Sequence, residues 1–171
     1  MTTSAAAAIG DALVSALVQV RGFTTEDFAN FHPGGQLGRN LYMNVGEVMQ
    51  TVDKVACARA EETLREVVIR MTKAPFGAAC ILSDKNDLEG ILTDGDIRRL
   101  LSEEGDILAK KVRNCMTTSP VHADVGMSLE DAIHLMEDRA SQISVLPVVA
   151  GGSLKCLGLV RLHDVYQPSF S

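Results

Sequence analysis

The sequence predicts an α/β fold made of two copies of one small unit, and three observations support this class. Residues 112–167 repeat residues 45–101, with anchors such as Met49 and Met116 in register. Each copy carries helices and apolar strands in the order β-α-β-β-α. Apolar residues make up 46% of the 171 residues, enough for a packed core. Because solenoid repeats run only roughly 20–50 residues, we expect two packed units with clefts between them.

The first predicted element is an N-terminal helix over residues 4–21. Ile9, Leu13 and Leu17 recur at helical spacing, and Gly22 supplies a C-terminal stop. The apolar stripe of this helix needs a covering surface, so we expect the chain to form a homo-oligomer.

A short capped turn and a loop follow this helix. Thr24 and Asp27 have the spacing of a capping box, although Asp replaces the usual Glu or Gln. Pro33 and the paired glycines after it predict a loop over residues 31–39 with close backbone approach.

The first repeat begins its main helix after Thr63, a residue suited to capping a helix N-terminus. Apolar strands are predicted at residues 78–82 and 88–93, with a polar turn between them. A second helix is predicted over residues 94–101. The apolar face of the first of these helices carries Leu64, Val67, Val68 and Met71.

The second repeat has the same order of elements. Ser128 is expected to cap its main helix, strands are predicted at residues 144–149 and 155–161, and a last helix at residues 162–166. The apolar face of the main helix carries Leu129, Ala132, Ile133 and Met136.

Composition narrows the function classes. The net charge is −6 and the basic residues are scattered, so nucleic acid is not expected as a partner. No apolar run approaches the ~18 residues of a membrane span, and no secretory signal is recognisable. We therefore predict a cytoplasmic protein without membrane contact. The four cysteines lack CxxC spacing and are expected to be buried, reduced thiols.

No metal site is predicted. His122, His134 and His163 are far apart in sequence and lack the spacing of metal ligands. Surface or packing roles are expected for all three.

The repeats resemble a tandem pair of CBS domains, the Bateman module. The residues that carry this resemblance are Val48-Met49, the helix after Thr63, and the segment Gly90–Asp96, each with a counterpart in the second copy. The resemblance implies one CBS domain at residues 44–105 and a second at residues 106–171.

The segment before the repeats resembles the end of the sugar-isomerase (SIS) domain in the D-arabinose 5-phosphate isomerase family. The motifs are Gly10–Leu13, Arg21–Thr24, Glu26–Phe28, His32–Gly35 and Leu37–Arg39. This family interconverts D-ribulose 5-phosphate and D-arabinose 5-phosphate for Kdo biosynthesis, so a sugar phosphate is its implied substrate.

On that basis, residues 1–43 would be a helical C-terminal remnant of a SIS domain. Most of the catalytic domain would lie upstream of Met1, so we expect a regulatory region that is inactive as an isomerase alone. The alternative is a free-standing CBS-pair sensor of adenine nucleotides without enzyme activity.

His32 is the candidate catalytic residue. Isomerisation moves a proton between adjacent carbons, and an imidazole titrates in a suitable range. The resemblance implies that His32 matches a catalytic histidine of the family; a loop histidine without a role is the alternative. The backbone N–H groups of Gly34, Gly35 and Gly38 and the side chain of Arg39 either contact a phosphate or belong to a domain-boundary turn with a surface arginine.

The resemblance also implies an adenine nucleotide as a candidate ligand between the repeats, with no required cofactor. Thr93 and Asp96 match the family pattern in which Asp holds the ribose hydroxyls and Thr lies near phosphate. Alternatively, Thr93 and the residue after it only begin a helix. In the second repeat, Asp164 keeps the carboxylate but Arg161 replaces Thr, and this arginine would either bind phosphate or block the cleft.

Overall fold

The computed structural model describes residues 2–24, 27, 43–102 and 104–166. The chain divides into two compact units, Met1–Tyr42 and Met43–Ser171. The loop predicted at residues 31–39, including His32, lies outside the described residues. Among the residues that are described, no helix has both the length and the hydropathy needed to cross a membrane.

The first unit contains helix α1, Thr2–Arg21. The helix ends at Gly22, which adopts φ 60°. The Gly22 N–H donates to the Gln19 carbonyl at 3.2 Å and the Phe23 N–H donates to the Val18 carbonyl at 3.0 Å, which is the Schellman pattern that a left-handed glycine permits. The predicted helix and its glycine stop are therefore both present.

The predicted box between Thr24 and Asp27 also forms. The Asp27 N–H donates to the Thr24 hydroxyl at 3.2 Å, and the Thr24 N–H donates to the Asp27 carboxylate at 2.8 Å. Aspartate therefore serves here in place of the usual longer side chain.

The second unit holds both repeats. Its helices are α2 (Val45–Val48), α3 (Leu64–Lys73), α4 (Asp94–Leu100), α5 (Leu129–Glu137) and α6 (Leu162–Tyr166). Its strands are β1 (Gln50–Thr51), β2 (Ala56–Ala58), β3 (Ala78–Leu82), β4 (Leu88–Thr93), β5 (Thr117–Thr118), β6 (Ala123–Asp124), β7 (Val145–Val149) and β8 (Cys156–Arg161).

The strands form two four-stranded sheets, with orders β2-β3-β4-β5 and β1-β8-β7-β6. In each repeat the first strand pairs in parallel with the second across the main helix, and the second pairs antiparallel with the third. This is the predicted β-α-β-β-α order, so the fold class is confirmed.

Both main helices begin as expected. The Thr63 hydroxyl accepts from the Glu66 N–H, and the Ser128 hydroxyl accepts from the Asp131 N–H. Each helix then buries its predicted apolar face, although Val68 and Ile133 are only partly buried. Helix α4 ends one residue earlier than predicted, and Leu101 beyond it is 66% exposed.

Each repeat borrows a short strand from the start of the other repeat. Strand β1, at the start of the first repeat, pairs with β8, and β5, at the start of the second repeat, pairs with β4. The exchange extends to the cores, because Val45 is buried with Leu129 while Val112 is buried with Leu64. The domain boundary predicted between residues 105 and 106 stays a prediction, since each core draws a segment from beyond it.

Two glycines at equivalent positions make this exchange sterically feasible. A Cβ on Gly90 would lie 2.6 Å from the Met116 sulfur and 2.9 Å from the Thr117 carbonyl oxygen. A Cβ on Gly158 would collide with the Gln50 carbonyl. Any side chain at either position would therefore push the borrowed strand away from its sheet.

The two sheets pack through a shared apolar layer, the inter-repeat core. Its buried members are Val55, Ala78, Cys80, Leu82, Leu88, Ile91, Val145, Val149, Cys156 and Leu159. None of the four cysteines forms a disulfide, as expected. Only Cys80 and Cys156 are buried, however. Cys57 and Cys115 are half-buried, so the expectation of four buried thiols is wrong for these two.

Candidate nucleotide site

The N-terminal ends of α4 and α6 line one open cavity of about 880 Å³ between the repeats, here called the inter-repeat cleft. Each helix begins directly after the last strand of its repeat, so the pseudo-symmetry of the fold brings both starts to the same cavity. Thr93 and Asp96 line it from the first repeat, and Arg161 lines it from the second.

The first half of the cleft is built around a capping box. The Thr93 hydroxyl accepts from the Asp96 N–H at 3.2 Å. In return, one Asp96 carboxylate oxygen accepts from the Thr93 N–H at 2.8 Å and from its hydroxyl at 2.7 Å. The alternative that Thr93 begins the helix is thus realised, and it holds the Asp96 carboxylate in a fixed orientation.

The second oxygen of Asp96 pairs with Arg99, one turn along α4. Asp96 is only 7% exposed, whereas the Arg99 side chain is 75% exposed. The carboxylate therefore lies at the wall of the cleft rather than in open solvent. The exposed Arg99 guanidinium pairs with the second oxygen of this carboxylate, and an ion pair of this kind contributes only about 0–1 kcal/mol to the stability of the fold.

The second half of the cleft is lined by an arginine that holds the carboxylate of its repeat. The Arg161 guanidinium donates from Nε to Oδ2 and from Nη2 to Oδ1 of Asp164, both at 2.8 Å. It also lies 4.9 Å from the ring centroid of Phe76, which belongs to the first repeat. Of the two roles open to Arg161 in the sequence, the structure favours blocking, because both Asp164 oxygens are occupied.

The same hydrogen bonds fix the charge state of the clamp. Hydrogen bonding to Asp164, reinforced by the charge of that carboxylate, raises the pKa of the Arg161 guanidinium above its ordinary value despite some desolvation. The guanidinium in the clamp formed by Phe76, Arg161 and Asp164 therefore stays cationic.

The remaining lining gives the cleft two kinds of surface. An apolar wall comes from strands of both repeats, with Ile91, Val145 and Pro147 among its members. Exposed cationic side chains Arg98 and Arg139 stand at the rim. An apolar wall beside a carboxylate and a cationic rim suits a ligand with a flat apolar part, vicinal hydroxyls and an anionic group.

The predicted site residues are thus partly brought together. Thr93 and Asp96 share the cleft wall with Arg161, and Asp164 lies behind Arg161. No sequence pattern pointed to Phe76 or Arg139, because both reach the cleft through long-range packing. His32 lies outside the described residues.

The other histidines show no metal site. Among the described residues, no group of three or more His, Cys, Asp or Glu side chains has the arrangement of a metal centre. His134 instead pairs with Asp138, with 2.6 Å between Nδ1 and Oδ2. This hydrogen bond, with the negative charge of Asp138, raises the pKa of His134.

The curated proteins that this chain matches are longer than the chain itself. The chain is 37% identical over 166 residues to arabinose 5-phosphate isomerase KdsD of Salmonella typhi, a match that covers 97% of this chain and 49% of that protein. The chain thus spans about half the length of the curated relatives it matches. The resemblance to this family noted in the sequence is confirmed over that stretch.

Solved structures share the fold at low identity. CBSX2 of Arabidopsis thaliana in complex with AMP has a TM-score of 0.61 and 22% identity, covering 71% of this chain and 92% of that one. The CBS domain pair of MJ0100, in complex with 5′-methylthioadenosine and S-adenosyl-L-methionine, has a TM-score of 0.62 and 20% identity, covering 72% and 92%.

The family model of the CBS domain matches residues 45–103 and 111–167, the two repeats described above. The predicted tandem pair is therefore confirmed, and the chain belongs to the CBS domain family.

Proposed function

We propose that this chain is the regulatory CBS pair of an arabinose 5-phosphate isomerase and that it binds one adenine nucleotide in the first half of the inter-repeat cleft. The observation that carries this proposal is the Asp96 carboxylate, which Thr93 orients and whose second oxygen pairs with the exposed side chain of Arg99. Both structural neighbours described above were solved with adenine-containing ligands.

Ribose binding at Asp96 requires an exchange of partners. The 2′- and 3′-hydroxyls would replace Arg99 at the free carboxylate oxygen, while Thr93 keeps the other oxygen in place. Releasing Arg99 costs about 1 kcal/mol at most, because its side chain is largely in water. Hydrogen bonds to a charged acceptor contribute roughly 1.5–3 kcal/mol each, so the exchange favours the nucleotide.

The rest of the ligand has matching surfaces nearby. The adenine would lie on the apolar wall that includes Ile91 and Val145, where a flat ring displaces water from buried aliphatic carbons. The phosphates would lie at the rim with Arg98 and Arg139. The released Arg99 would add a third cation at the same rim.

Paired substitutions test this assignment. Asp96→Asn removes the charge but keeps an acceptor for the Thr93 cap, and Asp164→Asn is the matched control in the second repeat. If Asp96→Asn loses half of the hydrogen-bond energy between the carboxylate and the two ribose hydroxyls, the nucleotide binds roughly tenfold or more weakly, since ~1.4 kcal/mol is a factor of ten. Asp164→Asn is expected to change affinity much less, because Arg161 already occupies that carboxylate.

Calorimetric titration of the wild type and both variants with AMP, ADP and ATP measures these effects, and thermal melting of each variant checks its fold. If none of the three nucleotides binds the wild type, the nucleotide assignment fails. If Asp164→Asn is the more damaging change, the ligand occupies the other half of the cleft.

The link to isomerase activity has a separate test in the complete protein that contains this chain. We expect that protein to interconvert D-ribulose 5-phosphate and D-arabinose 5-phosphate, and added AMP to change the rate. His32→Ala should remove turnover if the histidine acts in proton transfer. Nucleotide binding without any turnover would favour the alternative, a sensor without enzyme activity.

A further inference from the structure

A second cavity, of about 630 Å³, lies apart from the inter-repeat cleft and is lined by thiols and cations. Cys57 and Cys156 reach it from different repeats. Arg59, Arg70 and Lys155 line it as well, together with Glu62, which forms an ion pair with Arg70. This cavity is called the thiol cavity below, and none of these side chains lines the inter-repeat cleft.

The two lining thiols share one buried neighbour. Cys80 and Cys156 are buried in the inter-repeat core with Cys57 packed against it, and the Cys80 and Cys156 thiols both donate to the Gly158 carbonyl, at 3.9 and 3.8 Å. Cys57 and Cys80 are also register partners on the parallel strands β2 and β3. Paired residues on neighbouring strands point to the same face at a spacing of roughly 4.7–4.9 Å, within the Cα separation that a disulfide spans, about 4.4–6.8 Å.

The two thiols of this pair differ in access and in acidity. Cys57 is half-buried and lines the cavity, whereas Cys80 is buried behind it. The hydrogen bond with Cys80, together with the positive charges of Arg59 and Arg70, lowers the pKa of Cys57. Hydrogen bonds to both neighbouring sulfurs, followed by burial, raise the pKa of Cys80.

The differences in access and acidity suit Cys57 and Cys80 to different steps of an oxidation. A thiolate is the reactive form of cysteine, and an accessible thiol beside cations is the one that oxidants reach first. A protonated thiol in contact with it is placed to act second. A metal centre does not account for the cluster, because no metal-binding group of His, Cys, Asp or Glu occurs among the described residues.

We propose that Cys57 and Cys80 form a dithiol that a small hydroperoxide oxidises through the thiol cavity. The Cys57 thiolate attacks one oxygen of hydrogen peroxide, the O–O bond breaks, and hydroxide leaves and takes up a proton. The Cys80 sulfur then attacks the Cys57 sulfenic acid, the S–O bond breaks, and a second water leaves. Two thiols are oxidised to one disulfide while the peroxide is reduced to two waters.

The test treats the reduced full chain with increasing hydrogen peroxide, blocks remaining thiols by alkylation, and maps disulfides by mass spectrometry of unreduced peptides. We expect the first product to be a Cys57–Cys80 cross-link, with the mass of the chain lower by two hydrogen atoms. A first cross-link between Cys80 and Cys156, oxidation of all four thiols at one rate, or no cross-link would each overturn the proposal.

Three variants separate the two tasks. Cys57→Ser should abolish the cross-link, and Cys80→Ser should stop the reaction at a sulfenic acid on Cys57, which dimedone traps. Cys115→Ser is the matched control, since Cys115 lies outside the thiol cavity, and should cross-link at the wild-type rate. If Cys57→Ser or Cys80→Ser fails to fold, the disulfide map of the wild type still shows whether Cys57 and Cys80 are cross-linked first. Dimedone labelling of Cys80 in the Cys57→Ser variant at the wild-type rate would contradict the order of attack.

Discussion

Replacing the arginine that closes the second half of the cleft should create a second nucleotide site. Arg161→Thr removes the two hydrogen bonds that occupy both oxygens of Asp164 and the contact with the Phe76 ring. It also restores the Thr-x-x-Asp pattern that Thr93 and Asp96 display in the first repeat. The variant should therefore bind two nucleotides per chain where the wild type binds one.

The magnitude follows from what a ribose must displace in the wild type. A cation–π contact at a partly exposed site contributes roughly 0.5–1 kcal/mol. The Arg161 side chain is 35% exposed, so solvent screening reduces the bidentate pair to about 1–1.5 kcal/mol. A total near 2 kcal/mol corresponds to roughly a 30-fold gain in affinity at the second half-site.

Calorimetric titration with AMP measures both the stoichiometry and the affinity. Arg98→Thr is the matched control, because it removes one exposed cation from the cleft without touching Asp164. The control should keep one site and lose a little affinity. If Arg161→Thr retains a stoichiometry of one at the wild-type affinity, or if the wild type already binds two nucleotides, then Arg161 does not close this half of the cleft.

Two further predictions concern packing and pH. Gly158→Ala should lower the free energy of unfolding by about 1–3 kcal/mol, because its Cβ would collide with the Gln50 carbonyl. Gly151→Ala is the control: its Cβ meets no atom within 4 Å, so the free energy of unfolding measured by chemical denaturation should change little. His134 should titrate above its ordinary pKa of 6.5 in NMR spectra, and Asp138→Asn should lower its pKa toward that value, because Asp138 is the largest cause of the shift and Glu130 and Asp131 contribute less. Because the folded pKa is raised, the stabilising pair is fully formed below about pH 6.5 and is lost as pH rises through the folded value; an unchanged His134 titration in Asp138→Asn would contradict this.

Periodicity and capping predicted most of the repeat. The helix after Thr63 and the helix after Ser128 were located because a capping residue precedes an apolar face at helical spacing. Strands β3 and β7 were located because each is a run of five consecutive apolar residues, all of which the structure buries. These features are local, so a single sequence contains them.

The exchanged strands could not be predicted in the same way. Strands β1 and β5 have two residues each, too few to show a period of two. Their pairing depends on partners far away in sequence: Gln50 of β1 pairs with Leu159, more than one hundred residues on, and Thr117 of β5 pairs with Ile91 of the other repeat. The glycines that admit them, Gly90 and Gly158, were visible as a repeated motif, but their steric reason appears only when the borrowed backbone is in place.

The site shows the same division between local and long-range causes. The Thr93 and Asp96 pattern is local and was found, including its capping alternative. The clamp on Asp164 includes Phe76 of the other repeat. Phe76 contacts Arg161 only after the two sheets have packed together. Sequence comparison of the two repeats shows that Arg161 replaces a threonine, but it does not show what the arginine contacts.

The asymmetry between the repeats has a physical consequence for ligand binding. Asp96 lines the cleft and its counterpart Asp164 lies behind Arg161, so two ligands bound at both carboxylates would bring their phosphates to a rim that both halves share. Like charges placed close together repel, and the cost rises where solvent is excluded. A clamp that neutralises Asp164 internally avoids this cost and leaves the rim cations Arg98 and Arg139 to a single ligand. The Arg161→Thr variant should therefore bind its two nucleotides with negative cooperativity, and added salt should reduce that cooperativity because it screens the repulsion between phosphates.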